Sequence, residues 1–150
     1  MTTTETDLTT LTAWVHESVP ILGRMGIEVL EARPGRAAAK LPLEPNGNHF
    51  GVLYAGSLFS AAEMLGGLIA MTSFPLEGFV PLVKSLDIHF RRPGLGDVKA
   101  STELTLTEVE RVKAEAMAHG KAEYVLEATV VDAAGETVVT TTGVYQLRKL

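Results

Sequence analysis

Between Phe50 and Pro75 the chain carries one charged residue, Glu63, in a run that is otherwise uncharged and mostly apolar. On a helical wheel its face also holds Gly56, Phe59, Ser60, Gly66, Gly67 and Ala70, at spacings of three, four and seven residues. Leu58, Leu65, Leu68 and Ile69 occupy the opposite side. A helix apolar nearly all round belongs in a core, where a lone carboxylate is costly unless it has partners or a task. Low-dielectric surroundings raise carboxylate basicity, which suits taking a proton from water or attacking an electrophile. The small residues beside Glu63 leave a slot for water and substrate. Two blander readings stay open. Backbone N–H groups or a basic residue could satisfy Glu63, and Gly56, Ser60, Gly66 and Gly67 could simply let backbones pack closely.

The remaining reactive groups are scattered. Asn48 and Gly47 are turn formers within the EPNGN stretch, and His49 beside them reads first as a loop residue. His89 lies opposite the Leu86, Ile88 and Phe90 side of its strand, toward solvent or a partner. His16 and His119 have no partners in sequence, and no metal-ligand spacing links the four histidines. No metal site and no cofactor is therefore expected. Without cysteine, disulfides, thiolate metal sites and a cysteine nucleophile are excluded. Arg91 with Arg92, Arg111 with Lys113, and Lys121 could each hold a phosphate or remain solvated.

The 150 residues fit one domain, over 1–150, with residues 1–24 as an N-terminal helical extension. An apolar share of 46% and a charged share of 21% are those of an ordinary globular protein. The net charge of −5 argues against nucleic acid as a bulk partner. No basic leader or apolar signal core opens the N-terminus. The 50–75 run has the length of a membrane span, but carries a central carboxylate, four glycines and no flanking Lys or Arg. A cytoplasmic protein outside the membrane is expected.

Thr6 or Asp7 can cap a helix through Glu17, with Leu8, Leu11, Trp14 and Val15 at helical spacing, ended by Val19-Pro20. Residues 26–32 and 36–43 alternate as strands about a Pro34-Gly35 turn. Residues 44–48 read as a loop, and the buried helix spans roughly Tyr54 to Ser73. Strands follow over 79–92, 98–107, 122–131 and 137–147, with Val83, Leu86, Ile88 and Phe90 as an apolar stripe. The segment 108–120 has a helical composition, yet its place between two long strands suggests a strand end and a loop. One sheet with one apolar face needs one cover, and only the central helix is apolar enough.

That order, with the stretch NHFGVLYAGSLFSAAE from Asn48 to Glu63, resembles the hotdog-fold acyl-CoA thioesterases, most closely their phenylacetate-pathway (PaaI-like) branch. The family pattern has an Asn or Gln, a His-Gly-Gly turn six residues on, and an acidic residue nine after that His. Asn48, Tyr54-Ala55-Gly56 and Glu63 fall at those spacings, with Tyr54 and Ala55 replacing the usual His and first Gly. Residues 85–96 and the closing hairpin also match, so the resemblance runs from Gly26 to the C-terminus.

The resemblance implies an α+β hotdog fold, a long central helix wrapped by a curved antiparallel sheet of five to six strands. It implies a homodimer or homotetramer acting on an acyl-CoA or acyl-carrier thioester, with no nucleic acid or membrane partner. The Ala55 N–H would polarise the thioester carbonyl, and Glu63, from the dimer mate or across the cleft, would act as general base or nucleophile. Asn48 would orient water or substrate and Tyr54 support the carbonyl. His49, Gly56 and Ser60 would line the substrate, and Arg91 and Arg92 grip coenzyme A phosphates. Tyr54 in place of His keeps open a non-catalytic acyl-CoA-binding module. A hydratase or dehydratase of this fold would need an Asp–His pair on one short stretch, which is not evident.

Overall fold

The computed structural model describes residues 5–75 and 77–150. Helix α1 (Glu5–Ser18) and the short α2 (Pro20–Arg24) precede the hairpin β1 (Glu28–Arg33) and β2 (Arg36–Leu41). A single irregular turn, α3 (Leu43–Asn46), leads toward the central helix, which runs as α4 (Ala55–Glu63) and α5 (Leu65–Ser73). Strands β3 (Phe79–Phe90) and β4 (Val98–Glu103), helix α6 (Leu106–His119), and strands β5 (Lys121–Val131) and β6 (Thr137–Lys149) complete the order.

The six strands form one sheet in the order β1-β2-β4-β5-β6-β3, with every neighbouring pair antiparallel. Period-two alternation turns one side of β4 and β5 inward, and Ala122, Tyr124, Leu126, Ala128 and Val130 of β5 are all buried. Leu58, Ala61, Ala62, Leu65, Leu68 and Ile69 of the central helix fill the same apolar cluster. Ala37 and Ala39 on β2 have little bulk, so the helix backbone can approach there. The Ala55–Ser73 segment is long and apolar enough to cross a membrane by length and composition. Here it is the inner helix of the sheet.

The β1–β2 hairpin turns at Gly35, whose φ of +80° favours glycine. Its N–H donates to Ser73 Oγ at 2.9 Å, tying the turn to the end of α5. The β3 stripe changes parity between Val83 and Leu86, and a bulge in the β3–β6 register between Val83 and Ser85 accounts for it. The helix ended by Val19-Pro20 is observed, and its described span, from Glu5, includes Thr6 and Asp7. Residues 1–4 of the expected extension lie outside the described residues. Pro20 then serves as the first residue of α2, the position where its missing N–H is harmless.

One expectation is overturned. The strand end and loop expected over 108–120 are helix α6, and the strand expected over 98–107 stops at Glu103. Thr105 Oγ1 accepts the Glu108 N–H at 3.1 Å, a side-chain N-cap. Gly120 closes the helix at φ +76°. Val109, Val112 and Ala116, at spacings of three and four, are its buried side. Arg111 bridges Glu108 and Glu115 at 2.7 Å and donates to the Glu123 carbonyl at 3.0 Å. Beyond the end of β4, α6 thus lies against β5 and satisfies part of its edge.

Candidate functional site

Glu63 closes α4, and Met64 (φ −64°, ψ −17°) joins it to α5. At this joint the helical ladder tightens. The Gly67 N–H donates to the Met64 carbonyl at 3.1 Å, a three-residue step rather than four. The Glu63 carbonyl accepts instead from the Tyr145 hydroxyl at 3.0 Å, and the Gly66 carbonyl from Tyr124 at 3.3 Å. The two phenol rings stack 5.6 Å apart, with Phe74 edge-on to Tyr124 at 5.1 Å. Burial pushes both phenols well above their ordinary range, and the Glu63 charge adds to the effect on Tyr145. The joint that aims Glu63 is therefore held from outside the helix.

The Glu63 carboxyl is half-buried, and desolvation raises its pKa. Among the described residues no basic side chain pairs with it. It opens on a cleft of about 570 Å³ between the central helix, α1–α2 and the start of β3. Ser60 and Gly67 line this cleft, whereas Gly66 is turned into the core, where a Cβ would overlap the Tyr145 ring. A Cβ at Gly67 would meet nothing within 4 Å. Of the small residues on the Glu63 face, Gly67 leaves open space and Gly66 leaves room for packing. Ser60 Oγ donates to the Gly56 carbonyl at 2.9 Å, so its proton is engaged within the helix.

A second cluster forms at the other end of α4. Tyr54 is the N-cap residue, extended at φ −63° and ψ 135°, and no side chain caps the helix start. The Ser57 N–H donates to the Tyr54 carbonyl at 3.1 Å, which leaves the amides of the exposed Ala55 and of Gly56 as the free donors of the helix start. The Tyr54 ring is 58% exposed and covers the position a Gly56 Cβ would take. Asn48 Oδ1 accepts the N–H groups of Phe50 (2.9 Å) and Val52 (3.3 Å), as an Asx-type turn. Asn46 is buried beneath, its Nδ2 donating to the Met25 and Pro42 carbonyls at 2.7 and 2.8 Å. His49 packs against Phe50 with ring centroids 4.0 Å apart, exposed. At about 1.5 Å of rise per residue, the Ala55 amide and Glu63 are roughly 12 Å apart within one chain.

Arg91 and Arg92 are exposed where β3 ends. Arg91 Nε donates to Thr140 Oγ1 at 3.1 Å, and Arg92 pairs with Glu136 at 3.4 Å. His89 meets Asp87 at 3.0 Å. This Asp–His pair on one short stretch, missed by sequence reasoning, sits exposed on the side of β3 away from Leu86 and Ile88. Among the described residues no group of three acidic, His or Cys side chains could hold a metal. Sequence reasoning also missed Tyr124, Tyr145 and the part of α1–α2 in the cleft. The two tyrosines fall at inward period-two positions, the one signal that could have found them.

A family model described as a domain of unknown function (DUF4442) matches residues 9–146. The chain belongs to this family. A Pseudomonas aeruginosa protein of unknown function, named a probable thioesterase, is 36% identical to this DUF4442 chain. Its structure superposes with a TM-score of 0.87, over 95% of this chain and 96% of that one. A protein of unknown function from Chlorobaculum tepidum, 24% identical, superposes at 0.83 over 95% and 94% of the two chains. A Haemophilus influenzae thioesterase, 19% identical, superposes at 0.75 over 99% and 95%. The last two likenesses concern the fold. A comparison with curated proteins gives no match. The DUF4442 chain has the α+β hotdog architecture, with six strands around the central helix.

Proposed function

We propose that the protein hydrolyses the thioester of an acyl-CoA or acyl-carrier substrate, working as a cytoplasmic homodimer or homotetramer. The observation that carries this reading is the Glu63 carboxyl, without a basic partner among the described residues, opening on an apolar cleft and made more basic by desolvation. The 36%-identical relative named a probable thioesterase supports it.

The two clusters, about 12 Å apart along one helix, make a single site only if two chains contribute. The amide of Ala55 in one protomer donates to the thioester oxygen, with Tyr54 beside it, and Glu63 of the partner subunit takes a proton from water. Water oxygen bonds to the carbonyl carbon, the C–S bond breaks, and the thiolate leaves with the proton Glu63 held. Asn48, His49, Gly56 and Ser60 line the approach, and Arg91 and Arg92 meet the phosphates of the carrier. Strand β3 pairs with β6 on one side only, and Leu82, Val83 and Phe90 on it are about half exposed, which fits an edge closed by a second copy. Light scattering at micromolar concentration is expected to give a dimer or larger. A monomer would remove the two-chain site.

A panel of acyl-CoA esters with free-thiol detection tests the reaction. Release of coenzyme A above the uncatalysed rate is the expected result. The second reading, an acyl-CoA-binding module without turnover, is favoured by the exposed Tyr54 where the thioesterases that the sequence resembles carry His. It would be supported if esters bind and none is cleaved.

A further inference from the structure

We propose that the acyl group of the substrate is an uncharged, apolar chain longer than acetyl, seated in the cleft between the central helix and α1–α2. This deepens the thioester reading and rests on it. The cleft belongs to one chain. Its floor is Met64, Gly67 and Met71, its roof Trp14 and Ile21, and Glu63 stands at its margin with Tyr145. Glu63 is the only charged residue lining it among those described.

Three features select the ligand chemistry. First, an acyl group carrying its own carboxylate would lie beside Glu63 with no cation to compensate, so succinyl-type esters are excluded. Second, the polar side chains beside Glu63 are already engaged. The Tyr145 hydroxyl donates to the Glu63 carbonyl and the Ser60 hydroxyl to the Gly56 carbonyl, so neither proton is offered to a polar acyl group. Third, about 570 Å³ is the size of a site for a whole small ligand, far more than a two-carbon group fills. The methionines adapt to a flexible chain.

The roof is anchored. His16 Nε2 and the Ile27 carbonyl are 2.6 Å apart, and the Val29 N–H donates to Thr12 Oγ1 at 3.0 Å, so two bonds dock α1 onto the β1 edge. Gly23 lets α2 approach the His16 side chain, where an added Cβ would sit 3.1 Å away. The helical extension thus builds a wall of the site and sets its length.

Trp14, the sole tryptophan of the chain, lines this cleft and also the neighbouring one with Leu11 and Pro34. Its emission change therefore assigns the cleft when Gly67→Leu, which fills this cleft alone, abolishes it. The probe is S-octyl-coenzyme A, a thioether that cannot be hydrolysed, titrated into the full-length protein beside free coenzyme A and S-carboxyethyl-coenzyme A. The expected result is a saturable blue shift with the octyl compound and none with the other two at equal concentration. Gly67→Leu places a side chain in the open floor of the cleft while improving helix propensity, so loss of fold is not its expected effect. It should lower kcat/KM for octanoyl-CoA at least ~10-fold relative to acetyl-CoA, the cost of displacing apolar contacts. Identical Trp14 responses to octyl and free coenzyme A, or an equal loss on both esters, would overturn the assignment even if thioesters are cleaved. A Trp14 shift with octyl-coenzyme A that Gly67→Leu abolishes, but no cleavage of any ester, would leave the cleft assigned and the hydrolytic reading refuted.

Discussion

Glu63→Gln is expected to lower turnover of an ester the parent hydrolyses by ~10²-fold or more, and at the same time to raise thermal stability at neutral pH. Gln keeps the shape of the side chain and its hydrogen bonding but cannot accept a proton or attack a carbonyl. The rate loss follows if Glu63 activates water. Because desolvation raises its pKa, the acidic limb of the parent's kcat/KM profile should lie above the usual carboxylate range. Activity then rises with pH as the carboxyl ionises, and this limb should be missing from the residual activity of the variant.

The stability gain follows from the sign of the same shift. A carboxyl whose folded pKa exceeds its ordinary 4.5 binds more protons folded than unfolded between the two values. Its ionisation therefore destabilises the fold as pH rises through that window, and the penalty is fully present above it. The neutral amide of the variant would carry no such penalty. Melting curves should place the variant above the parent at pH 7, with the gap closing by about pH 4. A variant that keeps wild-type turnover makes Glu63 structural. One that is less stable at neutral pH shows that the carboxylate has a partner.

Glu63 was legible because a charge in a long apolar run is conspicuous in one dimension, and the run needs no partner to declare itself a core helix. The strands were legible for the same local reason, as period-two alternation, which runs longest in β3, β5 and β6. The joint at Met64 was not. No residue there breaks a helix, and the tightened turn is stabilised by hydroxyls from Tyr124 and Tyr145, distant in sequence. Helix α6 failed differently. Thr105 with Glu108 and the Val109, Val112 and Ala116 spacing were readable local signals, and an assumption about topology outweighed them. Asn48 and Tyr54 match the family spacing, yet spacing alone does not tell which atoms they offer. Asn48 Oδ1 is engaged within its own turn. Where a function needs two chains, one sequence supplies the residues but not their meeting.

Gly66→Ala and Gly67→Ala, neighbours on one helix, should shift stability in opposite directions. Replacing glycine by alanine within a helix gains roughly 0.5–1 kcal/mol from backbone entropy. At Gly67 the new methyl meets open space, so the gain should stand. At Gly66 the methyl would come within 2.0–2.5 Å of Tyr145 ring atoms. That ring is buried, stacked on Tyr124 and tethered by its hydroxyl to the Glu63 carbonyl, so it cannot move aside freely. Forcing bulk into a packed core costs ~1–3 kcal/mol, sometimes more, which outweighs the helix gain. For a chain of this size a net ~1 kcal/mol lowers Tm by about 2–4 °C. Moving the ring would also remove the Tyr145 hydroxyl from the Glu63 carbonyl, so activity should fall with stability at Gly66. Tyr145→Leu vacates the ring position, and the double variant Gly66→Ala/Tyr145→Leu should be more stable than the sum of the single losses predicts. Strict additivity, or a stabilised Gly66→Ala, would mean that Gly66 is not small to accommodate Tyr145.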